Sequence, residues 1–278
     1  MKQVKNIHTT QTSHITFCAL CLGTLLAAPC IAADWRDFNV QLKGSNSYSE
    51  PGTPGKISKV ITTFEYSDAY ALGQNFAYID VSQFGKQSVG AVTGTLERPL
   101  DFFGEYHHTL SLQKALGTPL QLGPIQDVGV WTALIAGTNN SEFAPSTKAA
   151  ILGLSFSLPA RPYGYQAVKL GAYKSWESNV FGDVDTEATY RLAYVWGLPF
   201  TAMGVHWSFE GYGNYTGITA PGRKPRFYAQ PSLLADISPL IAQRAKTLEF
   251  GLQYLYDHNK FGSDTRESAA QLIFKWHL

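Results

Sequence analysis

Cysteine is nearly absent from this chain. The three cysteines, Cys18, Cys21 and Cys30, all lie within the first thirty residues. If that segment is removed on export, the remaining chain has no disulfide, no thiolate metal site and no cysteine nucleophile. An exported chain without disulfides needs another source of stability. A closed β-barrel supplies one, because every strand pairs with a neighbour on both sides.

A surplus of charge and a long apolar run are also missing. The 22 basic residues nearly balance the 21 acidic ones, so no basic excess is present to attract nucleic acid. Beyond residue 33 there is no apolar stretch of about 20 residues, the length that a transmembrane helix needs. Mean hydropathy is −0.11 although 13% of the residues are aromatic. This combination is typical of a membrane barrel with a polar lumen.

The N-terminal segment predicts export. Lys2 and Lys5 precede a mostly apolar run over 15–28, and small residues follow up to Ala33. This order indicates a signal peptide over 1–33, cleaved near Ala33, with a mature chain of 34–278. The run is short for an uncleaved anchor. Pro29 before Cys30 disfavours a lipid-modified cysteine. Cleavage removes two basic residues and leaves 20 against 21 acidic ones.

The C-terminal stretch 266–278 alternates in polarity with a period of two. Leu272, Phe274 and Trp276 fall on one face of a strand, and Gln271 and Lys275 fall on the other. Apolar side chains outside and polar ones inside are expected of a transmembrane β-strand. A half-buried strand of a soluble β-sandwich has the same alternation and stays open at this point.

The same alternation recurs along the mature chain, between loops rich in glycine, proline and polar residues. It predicts about twelve strands, an even number as in bacterial barrels, and therefore one all-β domain, a transmembrane antiparallel β-barrel. The stretch 125–136 is apolar on both parities, so its facing is undetermined, and 85–101 and 197–202 are expected to be a loop and a turn. The predicted strands are 38–48, 58–67, 75–84, 102–113, 125–136, 149–158, 166–177, 187–196, 205–215, 226–237, 248–256 and 266–278.

The predicted facing gives a lumen that holds both charges and aromatic rings. Aromatic side chains gain nothing from water, so their presence inside suggests a solute with a ring, since base stacking is worth roughly 1–3 kcal/mol. The alternative is that these rings fill space or brace the wall. Charged lumen residues include Glu187. The predicted solute-binding residues are Glu65, Phe76, Tyr78, Asp80, Glu105, Lys169, Tyr173, Arg191, Tyr212 and Glu249, and Tyr228 is also expected to point inward.

Short motifs in a fixed order run through the mature chain. They are DWRD at 34–37, EP at 50–51, GQNF at 73–76 with Asp80, GEY at 104–106, GP at 123–124, FAP at 143–145 and WGLPF at 196–200. Together they resemble the Tsx-like, OmpK-type nucleoside-specific channel-forming proteins of the outer membrane. The resemblance implies a monomeric twelve-stranded barrel that passes nucleosides passively through the outer membrane of a Gram-negative bacterium. It also implies a phage or colicin receptor role in some members.

Two other classes of protein stay open. One is a plugged receptor or structural barrel, which lumen aromatics packed on one another would favour. The other is an outer-membrane phospholipase, whose histidine and serine would be His206 and Ser208, but their parity places them in the lumen and away from lipid. We therefore expect no enzyme. Adjacent His107 and His108 point to opposite faces, so we expect no metal site, and no cofactor is implied.

Overall fold

The computed structural model describes residues 35–85, 100–139, 146–160, 164–179, 181–241 and 246–278. The predicted signal peptide and its cleavage site lie outside these ranges, as do most of the predicted loop 85–101 and the motif at 143–145. Within the described ranges, no helix has both the length and the apolar character to cross a membrane.

The described chain is almost entirely β-strand. Twelve long strands form the wall and a short one, β8, pairs with the end of β7. The strands are β1 Trp35–Tyr48, β2 Ile57–Tyr70, β3 Gly73–Phe84, β4 Leu100–Ser111, β5 Asp127–Asn139, β6 Ser146–Ser157, β7 Tyr165–Asn179, β8 Gly182–Val184, β9 Thr189–Ala202, β10 Val205–Thr216, β11 Arg226–Asp236, β12 Leu248–His258 and β13 Arg266–His277.

The wall is a closed antiparallel ring. Each long strand pairs with its neighbours in sequence, β7 with β9 across β8, and β1 pairs with β13 to close the circle. At this seam Val40 lies opposite Trp276 and Leu42 opposite Phe274. The wall strands are 11 to 15 residues long, which suits the roughly 9–11 tilted residues that cross a bilayer. The predicted twelve-stranded barrel is confirmed.

The outer surface is apolar around the ring. Leu152 is 63% exposed and Leu272 is 56% exposed, with Leu42, Leu134 and Leu252 similarly placed on other strands. A soluble β-sandwich would bury such side chains in its core, whereas an apolar belt facing outward is what lipid requires. The barrel is therefore a membrane-spanning one.

The inner surface carries the buried polar side chains. Asn39, Gln41, Thr63 and Gln271 all face inward and are almost completely buried. The predicted alternation is confirmed on these strands, and the structure also settles β5, whose facing the sequence left undetermined. Trp131 on β5 points inward with Ala133 and Ile135, and Leu134 is exposed between them.

The predicted end of the strand 187–196 is wrong. Strand β9 starts at Thr189 and continues through 197–202, which the sequence predicted to be a turn, and the chain reverses at Met203 and Gly204, both with positive φ. A proline near a strand end is compatible with extended backbone, because it loses at most one ladder hydrogen bond. Glu187 precedes β9 and is exposed, so it does not line the lumen.

The predicted strand 102–113 also ends early. Strand β4 stops at Ser111, and one helical turn, α1 Leu112–Leu116, follows it. The Ser111 hydroxyl accepts a hydrogen bond from the Lys114 N–H at 3.1 Å, and Gly117 ends the turn with a left-handed φ of 64°. Serine and glycine are favoured at these two positions, so the sequence did contain the signal.

Candidate functional site

The lumen has two halves of different character. The paired-charge half is formed by β10 to β13 with β1 to β3. Its inner side chains are mostly charged or amide groups in mutual contact, with a smaller apolar cluster around Tyr48 and Ile57 at the end away from Trp35. The apolar half is formed by β4 to β7 with β9, and a cluster of buried apolar side chains covers it. We call the barrel end at which Trp35 and Leu278 lie the terminal end.

A network around Lys275 fills the paired-charge half towards the terminal end. The Lys275 ammonium lies 2.7 Å from a Glu210 carboxylate oxygen and 3.5 Å from one of Glu65. Glu65 also accepts hydrogen bonds from the amides of Asn39, at 3.0 Å, and Gln41, at 3.2 Å. The predicted site residue Glu65 is thus bound on several sides by wall residues.

Glu249 does not line the central cavity described below and contacts His277 instead. His277 bridges two carboxylates, with its Nδ1 at 2.7 Å from Asp37 and its Nε2 at 3.1 Å from Glu249. Because both ring nitrogens face carboxylate oxygens, this geometry suits a doubly protonated imidazolium. His277 and Asp37 were not predicted as site residues.

A cavity of about 90 Å³ lies at the centre of the paired-charge half. It is large enough for a few water molecules, and a solute the size of a nucleoside fits only if side chains move. The cavity brings together five of the ten predicted site residues with several that were not predicted. The five are Glu65, Phe76, Tyr78, Asp80 and Tyr212, and the others include Lys43, Tyr165, Glu210, Gln230 and Lys275.

A row of tyrosines, which we call the tyrosine bar, crosses the lumen beside this cavity. It consists of Tyr78, Tyr212 and Tyr228. The hydroxyl groups of Tyr78 and Tyr212 lie 3.4 Å apart, although β3 and β10 stand opposite each other in the ring. Tyr212 stacks on Tyr228 at 5.3 Å, and Tyr78 packs on Phe76 and Phe103. Lumen aromatics therefore do pack on one another.

Asp80 is held at the edge of the cavity by two neighbours. The Lys43 ammonium lies 3.5 Å from its carboxylate, and the Thr63 hydroxyl donates a hydrogen bond to the same oxygen. A carboxylate with these partners on β1 and β2 is fixed in position, and it lines the same cavity as Tyr78 and Tyr212.

Glu105 belongs to the apolar half. Its carboxylate lies 2.6 Å from Nε2 of His107, and Nδ1 of His107 accepts a hydrogen bond from the indole N–H of Trp131 at 3.2 Å. The acceptor role of Nδ1 places a proton on Nε2, which donates to Glu105. The His107 and Trp131 rings are stacked, with 5° between their planes. The Glu105 carboxylate is thus bound by a side chain of its own strand and does not face the central cavity.

Lys169, Tyr173 and Arg191 form a separate group on the apolar half. The Arg191 guanidinium carbon lies 4.2 Å from the centroid of the Tyr173 ring, and its Nε donates to the Thr216 hydroxyl at 2.9 Å. The Lys169 ammonium lies 5.5 Å from the centroid of Trp131. The structure does not bring this group to the central cavity.

An ionic cluster ties two loops together at the end opposite to the terminal end. Glu50 pairs with Lys59 and, at 2.9 Å, with Lys260, which in turn lies 2.8 Å from Glu267. Burial raises the pKa of Glu50, but the ammonium groups of Lys260 and Lys59 outweigh it and lower that pKa to about 2. The motif at 50–51 gave no sign of this role in the sequence.

Most of the lumen residues that were not predicted as site residues do show inward alternation in the sequence. Lys43, Glu210 and Lys275 follow the same inward alternation as the predicted residues. Alternation identifies the face of a strand but not the height of a side chain along the barrel. Since height depends on the register between strands, the sequence could not rank these residues.

The residues considered for catalysis or metal binding make other contacts. His206 Nδ1 lies 3.0 Å from the Thr201 hydroxyl, and Ser208 donates to Glu210 at 3.2 Å, so the two do not pair with each other. In the part of the chain that the structure describes, no group of three or more His, Cys, Asp or Glu residues is placed to hold a metal ion.

Several solved barrels resemble the chain in outline. The translocator domain of the autotransporter NalP from Neisseria meningitidis is 12% identical, with 95% of this chain and 97% of that one covered and a TM-score of 0.43. The NanC porin is 9% identical over 87% and 100%, with a TM-score of 0.46. The beta domain of the Bordetella autotransporter BrkA is 10% identical over 87% and 99%, with a TM-score of 0.43.

No family model and no curated protein matches the chain. The structural likenesses have identities and TM-scores too low to bear on the solute. The barrel architecture therefore rests on its own strand pairing, and the function has to be argued from the lumen.

Proposed function

We propose that the chain is a passive, non-enzymatic channel in the outer membrane of a Gram-negative bacterium, for nucleosides or similar small hydrophilic solutes. The observation that carries the proposal is the central cavity, where the rings of Phe76, Tyr78 and Tyr212 lie beside the charged groups of Asp80 and Lys43 within a closed barrel. Rings can stack on a base, and carboxylate and ammonium groups can bind hydroxyls and ring nitrogens.

The resemblance to Tsx-like channels supports the same solute class. Of its motifs, GQNF at 73–76 with Asp80 contributes Phe76 and Asp80 to the cavity, and GEY at 104–106 contributes Glu105 to the neighbouring wall. The resemblance also supports a monomer without a cofactor, and a phage or colicin receptor role would use the loops outside the barrel.

Passage requires the tyrosine bar to move. The contact between Tyr78 and Tyr212 is a single long hydrogen bond of 3.4 Å, which is weak. The bar can therefore act as a stacking surface that opens when Tyr78 or Tyr212 rotates as the solute passes. The wall behind it is braced by ion pairs and is not expected to move.

Single-channel conductance of the refolded mature protein in a planar bilayer tests this function, with and without adenosine or thymidine. We expect a small conductance that either nucleoside blocks. Conductance that nucleosides leave unchanged would retain the channel and reject the solute. The Tyr78→Ala variant should increase the open conductance and weaken the block, whereas Tyr190→Ala, which removes an exposed outward ring, should change neither.

The packed lumen also favours a second candidate, a plugged receptor or structural barrel. The tyrosine bar spans the lumen, and the Lys275 network fills it towards the terminal end. This candidate predicts no measurable conductance for the wild-type protein, in both the presence and the absence of nucleosides. Conductance that appears only on Tyr78→Ala would favour the plugged barrel over the channel.

A further inference from the structure

Two cations on the inner wall of the apolar half lack an acidic partner. Lys169 on β7 is 6% exposed and Arg191 on β9 is 8% exposed. Among the described residues, neither has a carboxylate within ion-pair distance. In the paired-charge half, by contrast, Lys43, Lys275 and Arg226 each have one.

The charge on Arg191 cannot be removed by deprotonation, because a guanidinium keeps its proton in proteins. Its Nε is used by Thr216, and the guanidinium lies over Tyr173. Within the described chain, the two terminal nitrogens have no hydrogen-bond acceptor. Glu105 is the carboxylate whose field reaches Arg191, but it is bonded to His107. A buried charge without a counter-charge is unfavourable, so this wall favours an incoming anion.

The strand register places Lys169 and Arg191 on the same face of adjacent strands. Lys169 lies opposite Ala193, and Arg191 lies opposite Gly171, so the cations are diagonal neighbours on one face of adjacent strands. Diagonal pairs have their Cα atoms about 7–8 Å apart, within reach of long side chains. Gly171 adds no side chain beside Arg191. The Lys169 ammonium extends towards Thr109 on β4 and the Arg191 guanidinium contacts Thr216 on β10, so the wall presents a stretch of positive charge between these strands.

A buried hydroxyl beside Lys169 also lacks a partner. Ser155 on β6 lies directly opposite Lys169, is 1% exposed, and its Oγ makes no hydrogen bond. The single hydrogen bond of the Lys169 ammonium is a long one of 3.4 Å to the Thr109 hydroxyl. Buried polar groups are normally satisfied, so an unpaired hydroxyl next to an unpaired ammonium indicates a missing acceptor.

Apolar side chains surround the two cations. Trp131, Ile151, Tyr173 and Ala193 belong to the apolar cluster that covers this half of the lumen. A ligand that suits both features has an anionic end for the cations and an apolar or aromatic body for the cluster. A fully hydrated inorganic ion would leave the apolar surface unused.

We propose that Arg191, supported by the positive charge of Lys169 on the same wall, binds the oxyanion group of a permeating solute, a carboxylate or a phosphate ester, whose apolar or aromatic body packs on the cluster around Trp131. The proposal rests on the channel function and specifies that the small hydrophilic solute carries an anionic group. The planar guanidinium presents its two free terminal nitrogens to one oxyanion.

Calorimetric titration of the refolded protein in detergent tests the site without requiring conductance. The probes are benzoate, phenyl phosphate and benzamide, which share a ring and differ in charge. We expect benzoate or phenyl phosphate, or both, to bind at least tenfold more tightly than benzamide, and the better of the two identifies the oxyanion. Equal affinity for all three, or no binding of either anion, would overturn the proposal.

Variants locate the site on the wall. Arg191→Gln and Lys169→Gln should each weaken binding of the anionic probe at least tenfold, and Arg191→Lys should retain part of the affinity because it keeps the charge. Lys148→Gln, a matched loss of one charge at an exposed position on β6, should bind as the wild type does. Equal affinity in wild type and Arg191→Gln would place the anion elsewhere. Gel mobility before and after heating checks that each variant is folded.

Bilayer recordings separate failure of this site from failure of the channel. In a KCl gradient, the reversal potential of the wild type should indicate a preference for chloride that Arg191→Gln reduces. Conductance with no such preference and no block by benzoate would reject the anion site and keep the channel. Absence of conductance together with tight benzoate binding in detergent would reject the channel and keep the site.

Discussion

The two halves of the lumen treat buried charge in opposite ways. In the paired-charge half, Lys275 lies between the carboxylates of Glu65 and Glu210, and Lys43 lies beside Asp80. In the apolar half, Lys169 and Arg191 rest on the rings of Trp131 and Tyr173 without a carboxylate at ion-pair distance among the described residues. The cations of the first half are neutralised by carboxylates, and these two cations of the second half are not.

This difference separates structural from functional charge. A buried ion pair holds neighbouring strands in place, and removing one partner leaves the other uncompensated. A buried cation without a partner contributes little to the fold and much to the binding of an anion. We therefore infer that the ion pairs of the paired-charge half stabilise the barrel. The solute contacts the side chains that line the cavity and the apolar cluster.

The largest expected effect tests that contrast directly. Lys275→Met should lower the free energy of unfolding by about 3 kcal/mol, because it leaves the half-buried carboxylates of Glu65 and Glu210 without a cation. Arg191→Met should change it by only about 1 kcal/mol, because losing the Thr216 hydrogen bond and the Tyr173 contact is offset by removing a buried charge that has no acidic partner. Urea unfolding followed by tryptophan fluorescence measures both.

Lys56→Met, at an exposed loop position, is the control for loss of a lysine and should stay within about 0.5 kcal/mol of wild type. If Arg191→Met proved as damaging as Lys275→Met, the two halves would not differ in the way described.

The next effect concerns the ionic cluster that ties the loops at the other end. The pKa of Glu50 is about 2 in the folded barrel, against 4.5 for an ordinary glutamate. Because the folded state favours ionised Glu50, its ion pairs contribute fully to stability above about pH 4.5. That contribution is lost as the pH falls towards 2 and the carboxylate is protonated. Glu50→Gln should cost about 3 kcal/mol at pH 7, because Lys59 loses its carboxylate.

Unfolding measured from pH 7 to pH 2 should therefore show a smaller loss of stability in Glu50→Gln than in wild type. Glu187→Gln, at an exposed loop position, should follow the wild-type profile. Parallel profiles for wild type and Glu50→Gln would show that the cluster does not contribute as inferred.

The barrel could be predicted from the sequence because its two faces have opposite chemistry. Most of the long strands alternate between polar and apolar residues, so the sides of Leu272 and Lys275 can be assigned without knowledge of the neighbouring strands. Where a strand is apolar on both faces, the sequence does not predict which face points inward. On β5, Trp131 and Leu134 are both apolar, and pairing with β4 and β6 decides which one faces inward.

The candidate site was harder to predict than the fold. Tyr78 and Tyr212 were both predicted to face inward, but their contact joins strands on opposite sides of the ring and depends on closure and register. The same is true of Lys275 and Glu210, separated by 65 residues. Sequence alternation gives the direction of such side chains, and only the closed barrel brings them together.

The third expected effect compares the interior of the apolar half with its lipid face. Ile151→Ala should cost about 2–4 kcal/mol, because Ile151 is 4% exposed within the cluster and its removal leaves a cavity. Leu152→Ala, on the outer face of the same strand, should cost about 1–2 kcal/mol, because lipid can fill the space. Equal costs would indicate that the cluster is loosely packed.

The smallest expected effect concerns the tyrosine bar. Tyr78→Phe keeps the ring and removes the hydroxyl that lies 3.4 Å from that of Tyr212, so stability should fall by at most about 1 kcal/mol. Nucleoside block should persist, since stacking needs the ring alone, and the open conductance should rise only slightly. Tyr212→Phe is the matched change on the other side of the lumen and should behave in the same way. Loss of block in either variant would mean that the hydroxyl pair, and not the rings, binds the solute.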